Sequence, residues 1–440
     1  MRLLSQQMTA IGQIGADWDL VELGQVSEPP QYGLTASAAK TGNAQFLRIT
    51  DIDGRNVNWT SVPYCDCPEG DVIKYRLRAG DILFARIGAT TGKSTLIVDP
   101  PKAVFASYLI RVRTKPDLDP EFLSHFFQSR AYWRQVDGNK NANLKKGVSG
   151  SILKGLLVPK PSLAEQRQIA RVLSAVQRAI ERQERLIALT AELKNALMHH
   201  LFTHGTRGEP LKQTEIGPVP KSWTLRPCDD ICEEISVGVV VRPRSYYVEA
   251  GVPAFRSFNV REDRLETADL VYFSKESNDG TLSKSKLRGG DILIVRTGYP
   301  GTSCVVPAQY DGSNCIDIVF ARAGPRVISE FLSRFFNSSA GKSQAMAAKH
   351  GLAQQHLNVG AVKRVQVPVP TLEEQREIVA ALATLDAKRA LHGRSAGAHR
   401  SLFRTLLHQL MTAQIRVHDL DLSALDSVAV EPVADAVEVA

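Results

Sequence analysis

Two stretches of the chain carry apolar residues at helical spacing over an unusual length. Ile169, Leu173, Val176, Ile180 and Ile187 recur at intervals of four, three, four and seven, which keeps them on one face of an α-helix. Ile378, Leu382 and Leu385 repeat the pattern, and Leu402, Phe403, Leu406, Leu407, Leu410 and Met411 continue it. Each stretch has a marked start. Pro161-Ser162-Leu-Ala-Glu165 and Pro370-Thr371-Leu-Glu-Glu374 are capping boxes. The hydroxyl accepts a bond from the amide three residues on, and the glutamate returns one. His204-Gly205 is a good stop for the first stretch. The pattern predicts two helices of about 40 residues, each about 60 Å long at 1.5 Å per residue. A narrow stripe on so long a helix cannot be buried by a small domain and needs a partner helix. The expectation is one antiparallel pair with a globular domain at each end. Two separate helical hairpins are the alternative.

Elsewhere the pattern changes to short β-like runs, such as Ser94 to Val98, Val104 to Val112 and Asp317 to Ala321, broken by Gly, Pro, Asn and Asp. These regions repeat each other. Leu77 to Leu83 reads LRAGDIL and Leu287 to Leu293 reads LRGGDIL. FLRITDID from Phe46 matches AFRSFNVR from Ala254, EFLSHFFQS from Glu121 matches EFLSRFFNS from Glu330, and VPKPSLAEQRQI from Val158 matches VPVPTLEEQREI from Val367. Trp18-Asp-Leu and Trp223-Thr-Leu open the two copies, and the offset stays between 205 and 210. A period this long means two whole domains rather than a solenoid. The LR-x-GDIL segment reads as a turn feeding a buried strand, with Asp81 or Asp291 bonding nearby backbone. The expected fold class is α+β: two similar α/β domains at 1–160 and 206–369, long helices at 161–205 and 370–414, and a tail at 415–440.

Composition supports a soluble protein, with 43 % hydrophobic and 23 % charged residues. No run approaches the eighteen or so apolar residues of a membrane helix, and no signal peptide is visible, so the expected compartment is the cytoplasm. The net charge is +8, yet the tail from Ile415 holds six acidic residues against Arg416 alone. The body is therefore more basic than the total, which suits a polyanion such as nucleic acid. The tail's composition predicts a flexible segment. The six cysteines, at 65, 67, 228, 232, 304 and 315, lack the paired CxxC spacing of a zinc site. No metal site and no catalytic residue is expected. Gly88 to Ser94 is one residue short of a phosphate-binding loop, and the matching Gly298 to Ser303 lacks the lysine. A tight turn common to both copies explains these glycines better. Glu28-Pro-Pro-Gln-Tyr32 only superficially resembles an adenine-flipping motif, and Glu192-Leu-Lys194 reads as a solvated helix face.

The order, duplication and spacing of LRAGDIL and LRGGDIL, PSLAEQRQI and PTLEEQREI, with QYGLTASAAKTGNAQFLRITDI and TEIGPVPKSW, resemble the specificity (S) subunit of type I restriction–modification systems. The resemblance covers nearly the whole chain except the acidic tail. It implies that each globular domain is a target recognition domain reading one half of a bipartite, asymmetric double-stranded DNA site. It implies that the helices set the spacing and dock two DNA-adenine methyltransferase (M) subunits, with restriction (R) subunits joining. S-adenosylmethionine, ATP and Mg would sit on those partners and none on this chain. The rival readings are a specificity subunit of another multi-subunit modification enzyme of the same design or a solitary S chain without active partners, a nucleotide-hydrolysing or nuclease enzyme, and a scaffold that binds no DNA.

Base reading needs polar side chains on protruding loops, and phosphate contacts need basic ones. In the first domain the loop from Gly138 to Gly147 offers Lys140, Asn141, Asn143, Lys145 and Lys146, with Tyr32, Arg86 and Lys93 as further candidates. In the second domain the candidates are Arg242, Arg244, Tyr246 and Tyr247, then Lys349, His350, Gln354 and Gln355. Glu165, Gln166, Arg167, Glu374, Gln375 and Arg376 at the helix starts are candidates for partner contact, though capping and inter-helix pairing explain them more simply.

Overall fold

In the computed structural model, which describes residues 6–52, 57–142, 147–350 and 356–423, helix α1 spans Leu163–His204 and helix α2 spans Leu372–Met411. The chain divides into two compact units, Met1–Gln183 with Arg394–Ala440, and Glu184–Gly393. Each unit thus contains one globular domain, the start of the helix that follows it and the end of the other helix. In the first unit Ile169, Leu173 and Ile180 share a core with Phe403, Leu407 and Leu410. In the second, Met198, Leu201 and Phe202 share one with Ile378 and Leu382. In both, the start of one helix lies on the end of the other, so the pair is antiparallel and the separate hairpins are excluded. Leu402 is 46 % exposed and drops out of the apolar stripe, while its neighbour Phe403 is buried.

Both domains are built on the same antiparallel sheet. In the first unit β1 (Gln31–Tyr32), β2 (Ile82–Ala85), β3 (Ser94–Leu96) and β4 (Leu109–Val112) run in the order β1-β4-β2-β3. In the second, β5 (Cys232–Val237), β6 (Ile292–Val295), β7 (Ser303–Val305) and β8 (Ile318–Ala323) run in the order β5-β8-β6-β7. The duplicated heptapeptide makes the central strand of each. Gly80 (φ +87°) and Gly290 (φ +94°) turn the chain through a conformation that favours glycine. Asp81 then accepts from the Arg78 amide at 2.9 Å, and Asp291 from the Arg288 amide at 2.8 Å. All four residues of β2 and of β6 are buried, because both faces of the sheet are covered. Ile82 and Phe84 join the core beneath the long helices, and Leu83 and Ala85 a second cluster. Ile292 and Ile294, then Leu293 and Val295, divide the same way. A strand covered on both sides needs a continuous apolar run rather than alternation.

After an opening hairpin (Gln6–Thr9 with Gly12–Gly15, Leu211–Thr214 with Gly217–Pro220), each domain is closed by one antiparallel strand pair, Asp19–Glu22 with Leu157–Lys160 and Thr224–Pro227 with Gln366–Val369. That pairing carries Trp18 to the head of α1 and Trp223 to the head of α2. The predicted capping boxes are only half formed. Ser162 and Thr371 accept from the Glu165 and Glu374 amides, both at 3.3 Å. The carboxylates do not return the bond. Glu165 accepts from the Trp18 indole at 3.2 Å, and Glu374 from the Trp223 indole at 3.0 Å and the Thr206 amide at 2.9 Å. A buried indole N–H must find an acceptor, and the glutamate three residues into each helix supplies it.

Two further expectations change. The segment expected to be a flexible tail from 415 is docked at its start. Val417 is 1 % exposed, and Ile415, Leu420 and Leu422 pack against the first unit's core. Arg416 bridges Asp17 (2.8 and 2.9 Å) and Glu165 (2.7 and 2.9 Å); its guanidinium holds the Asp17 carboxyl below its ordinary range. The apolar residues interleaved with the acids do the docking. Lys194, expected on a solvated face, is 4 % exposed. It bonds Asp263 at 2.7 Å and Asp386 at 2.6 Å, with Arg334 joining both carboxylates and Asn337 capping Asp263. Burial would raise the Asp386 carboxyl, but Lys194 and Arg334 bring it below the usual range.

Candidate nucleic-acid interface

The strand made by LR-x-GDIL delivers an arginine to the same end of the sheet in both units. In the first unit, Arg86 follows β2. Its amide donates to the Tyr108 carbonyl at 3.1 Å, and its carbonyl accepts from the Val148 amide at 2.9 Å. Its guanidinium stands 4.9 Å from the centre of the Tyr32 ring, and the Tyr32 hydroxyl accepts from the Gly150 amide at 2.9 Å. In the second unit, Arg296 follows β6. Its carbonyl accepts from the Leu357 amide at 3.1 Å, its Nε donates to the Leu357 carbonyl at 3.1 Å, and it pairs with Asp317. Arg86 and Arg296 therefore knot the loops of each tip together at their base. Their shared place in the two copies follows from that structural task.

Around each knot the loop ends gather. β2 and β4 pair with Ala85 opposite Leu109, and β1 pairs Tyr32 with Ile110. The segments after β1, after β2 and before β4 thus leave one end of the sheet. Lys93 is exposed there, in the turn closed by Gly92 (φ +87°). The second unit repeats this, with Val295 opposite Ile318 and Val237 opposite Val319. Arg242 (φ 45°) starts a short 3-10 turn after β5, and both it and Arg244 are exposed. Tyr246 and Tyr247 are half-buried and lie 6.2 and 6.0 Å from the Phe273 ring. Their rings pack on the cluster around Phe273.

The lysine–asparagine segment expected to be a loop is helical in its first part. Arg130–Ala142 is one helix, held by Tyr132 and Val136 in the core, and this carries the backbone of Lys140 and Asn141 into its last turn. Asn143, Lys145 and Lys146 lie outside the described residues. Lys349 and His350 end the matching helix Ser339–His350, and Gln354 and Gln355 lie outside the described residues. The chain that emerges from each segment is tied to its own unit's knot, at Val148 in the first and at Leu357 in the second. Beside the second knot His356 Nδ1 lies 2.9 Å from the Thr297 hydroxyl.

Sequence reasoning missed three exposed apolar groups at these tips. Tyr108 is 53 % exposed, Val241 76 % and Tyr299 81 %. Only the departure of GYPG from GATTG between the copies could have drawn attention to Tyr299.

The helix-start candidates separate by burial. Gln166 and Gln375 are fully buried, Glu165 and Glu374 nearly so. Gln166 accepts from the Asp119 amide at 2.8 Å and donates to the Pro161 carbonyl at 2.9 Å. Gln375 does the same with Ile328 at 2.8 Å and Pro370 at 3.1 Å. These four side chains are spent inside the chain, whereas Arg167 and Arg376 are exposed. Two thiol pairs approach each other, Cys65 with Cys67 at 4.0 Å and Cys228 with Cys232 at 3.7 Å. Among the described residues no group of three or more His, Cys, Asp or Glu gathers as a metal site, and no helix is long and apolar enough to cross a membrane.

The sequence profile of the type I restriction modification DNA specificity domain matches residues 16–191 and 245–395, once on each domain and its helix. The chain belongs to this DNA specificity family. A putative type I restriction enzyme MjaX specificity subunit of Methanocaldococcus jannaschii is 25 % identical over 423 residues, covering 93 % of this chain and 96 % of that one. The EcoBI specificity subunit of Escherichia coli is 25 % identical over 270 residues, covering 56 % and 55 %. Among solved structures, a type I restriction–modification S subunit from M. genitalium aligns with a TM-score of 0.58 at 14 % identity, covering 89 % of this chain and 96 % of that one. A chain from a study of complex assembly in the type I R-M system aligns at 0.54 and 19 %, covering 90 % and 98 %. The specificity fold is thus common to chains with little sequence in common. Role in the family is recognition of DNA sequence, not catalysis.

Proposed function

We propose that the chain reads a bipartite, asymmetric sequence in double-stranded DNA, one half with the loop tip of each unit. It does so as the specificity subunit of a type I restriction–modification complex in the cytoplasm. The long helices set the gap between the halves and dock two DNA-adenine methyltransferase subunits, which restriction subunits join. S-adenosylmethionine, ATP and Mg act on those partners. The observation that carries this reading is the pair of tips: one knotted scaffold, used twice, with different side chains at its exposed end. Shared frame with divergent loops is how one fold serves two specificities. Lys93, Arg242 and Arg244 supply cations for phosphate contact, and the polar segments leading to Val148 and Leu357 supply base-edge donors and acceptors. The test is a genome-wide map of methylated adenine in the source strain with and without this gene. Loss of methylation from one gapped, two-part motif is expected. An unchanged set of methylated motifs contradicts the proposal.

A further inference from the structure

The two tips differ most in where they present an aromatic ring. In the first unit Tyr32 ends β1, Tyr108 lies in the loop just before β4, and the turn after β2 reads Ala89-Thr90-Thr91. In the second unit the matching turn, one residue shorter, carries Tyr299 at its apex, 81 % exposed. This turn is stiff. Gly298 (φ +84°) and Gly301 (φ +88°) shape it, and three backbone bonds close it: Gly301 to Val295 at 3.0 Å, Thr302 to Tyr299 at 3.2 Å, and Val295 to Thr302 at 2.9 Å. A Cβ on Gly301 would stand 2.9 Å from the Ala345 Cβ, so the turn is seated against the helix behind it. The ring is therefore held outward by a rigid backbone, not left on a mobile loop. At the same end of the sheet, Val240 (50 %) and Val241 (76 %) are also exposed, followed by the exposed Arg242. A single exposed apolar residue needs no explanation. Here three leave the same end of one sheet together with a cation, and Tyr299 is the one fixed on a rigid turn.

We propose that Tyr299 is a specificity-determining residue of the second unit, its ring lying against bases of one half-site in a groove of duplex DNA. This rests on the reading of the chain as a DNA specificity subunit and adds the residue that reads. A tyrosine offers a large contact area with only two side-chain torsions to fix. Thymine methyl groups in the major groove are the apolar feature such a ring can distinguish. The scaffold beneath Tyr299 is shared with the first unit and the ring is not, as a residue that separates two half-sites requires.

The experiment supplies the full-length chain, Tyr299→Ala or Tyr299→Phe to the strain lacking the gene and maps methylated adenine. The wild-type chain should restore one two-part motif. Tyr299→Ala should relax the base requirement at positions in one half only, with apparent affinity of the assembled complex for its site falling roughly tenfold. Tyr299→Phe should behave as wild type, and both variants should keep the wild-type unfolding temperature, since the side chain is exposed. A wild-type base requirement that Tyr299→Ala leaves intact, or relaxes in both halves alike, overturns the proposal. So does Tyr299→Phe proving as defective as Tyr299→Ala. If the wild-type chain itself restores no motif, the specificity-subunit reading fails instead.

Discussion

The two units keep the same locks and change the same tips. Trp18 and Trp223 bond Glu165 and Glu374, Gln166 and Gln375 pin the chain ahead of a core helix, and Asp81 and Asp291 grip Arg113 and Arg322. Against that constancy, the tips share the arginine knot and the glycine turn beside it, but not the side chains these carry. The side chains that differ at the tips are exposed, and those that make the shared locks are buried. Selection on a fold used twice holds the frame, because a buried polar group without its partner is expensive. It leaves the solvent-facing loops free to diverge.

The comparison breaks most easily at the buried ion pairs. Arg322 meets Asp291 through two bonds of 2.9 Å, and Asp291 is 1 % exposed. Asp291→Ala removes the buried partner of that guanidinium, leaving it only the more exposed Glu234, and should cost about 3–5 kcal/mol in chemical unfolding, as should Asp81→Ala in the other unit. A large loss in one and none in the other would show that the frame is not shared energetically. Gln166→Ala and Gln375→Ala each leave a buried amide and carbonyls unpaired and should cost about 1–3 kcal/mol by the same measurement.

One lock differs between the units and sharpens the comparison through pH. Where the second unit has Arg334 in its ion cluster, the first has His125, whose Nε2 lies 2.8 Å from the Ser174 hydroxyl and whose Nδ1 has no partner. Burial pushes this imidazole down from 6.5 to about 4. The neutral ring is the form that fits the fold. Its contribution to stability is complete above pH 6.5 and is lost as pH falls towards about 4, because the unfolded chain takes up the proton first. His125→Gln should flatten the fall of the unfolding midpoint between pH 6.5 and 4. Equal slopes in wild type and variant would place the acid sensitivity elsewhere. The smallest effect is expected at the exposed tip. Arg242→Ala should leave stability unchanged and lower the slope of log affinity against log salt by about one, read by binding of the assembled complex to its DNA site.

The periodic and the local were legible in the sequence. Stripe, helix start and turn each depend on residues within a few positions, and Ser162, Thr371, Gly80 and Gly290 act as their types suggest. Partners far along the chain were not legible. Glu165 looks like a capping residue because its competitors, Trp18 and Arg416, lie 147 and 251 positions away. Lys194 looks solvated because Asp263 and Asp386 are brought to it only by folding. Lys140 and Asn141 look like loop residues until Tyr132 and Val136 anchor the helix that carries them. The tip residues were the least legible, since exposure on a rigid turn, as at Tyr299, has no local signature.

The most direct test is to attach a short photo-crosslinker at Lys93→Cys or at Arg242→Cys in the assembled complex and map where each labels the target duplex. The probe at 93 should label one half of the two-part site and the probe at 242 the other. Labelling of the same half by both, or of the duplex without regard to the site, would contradict it.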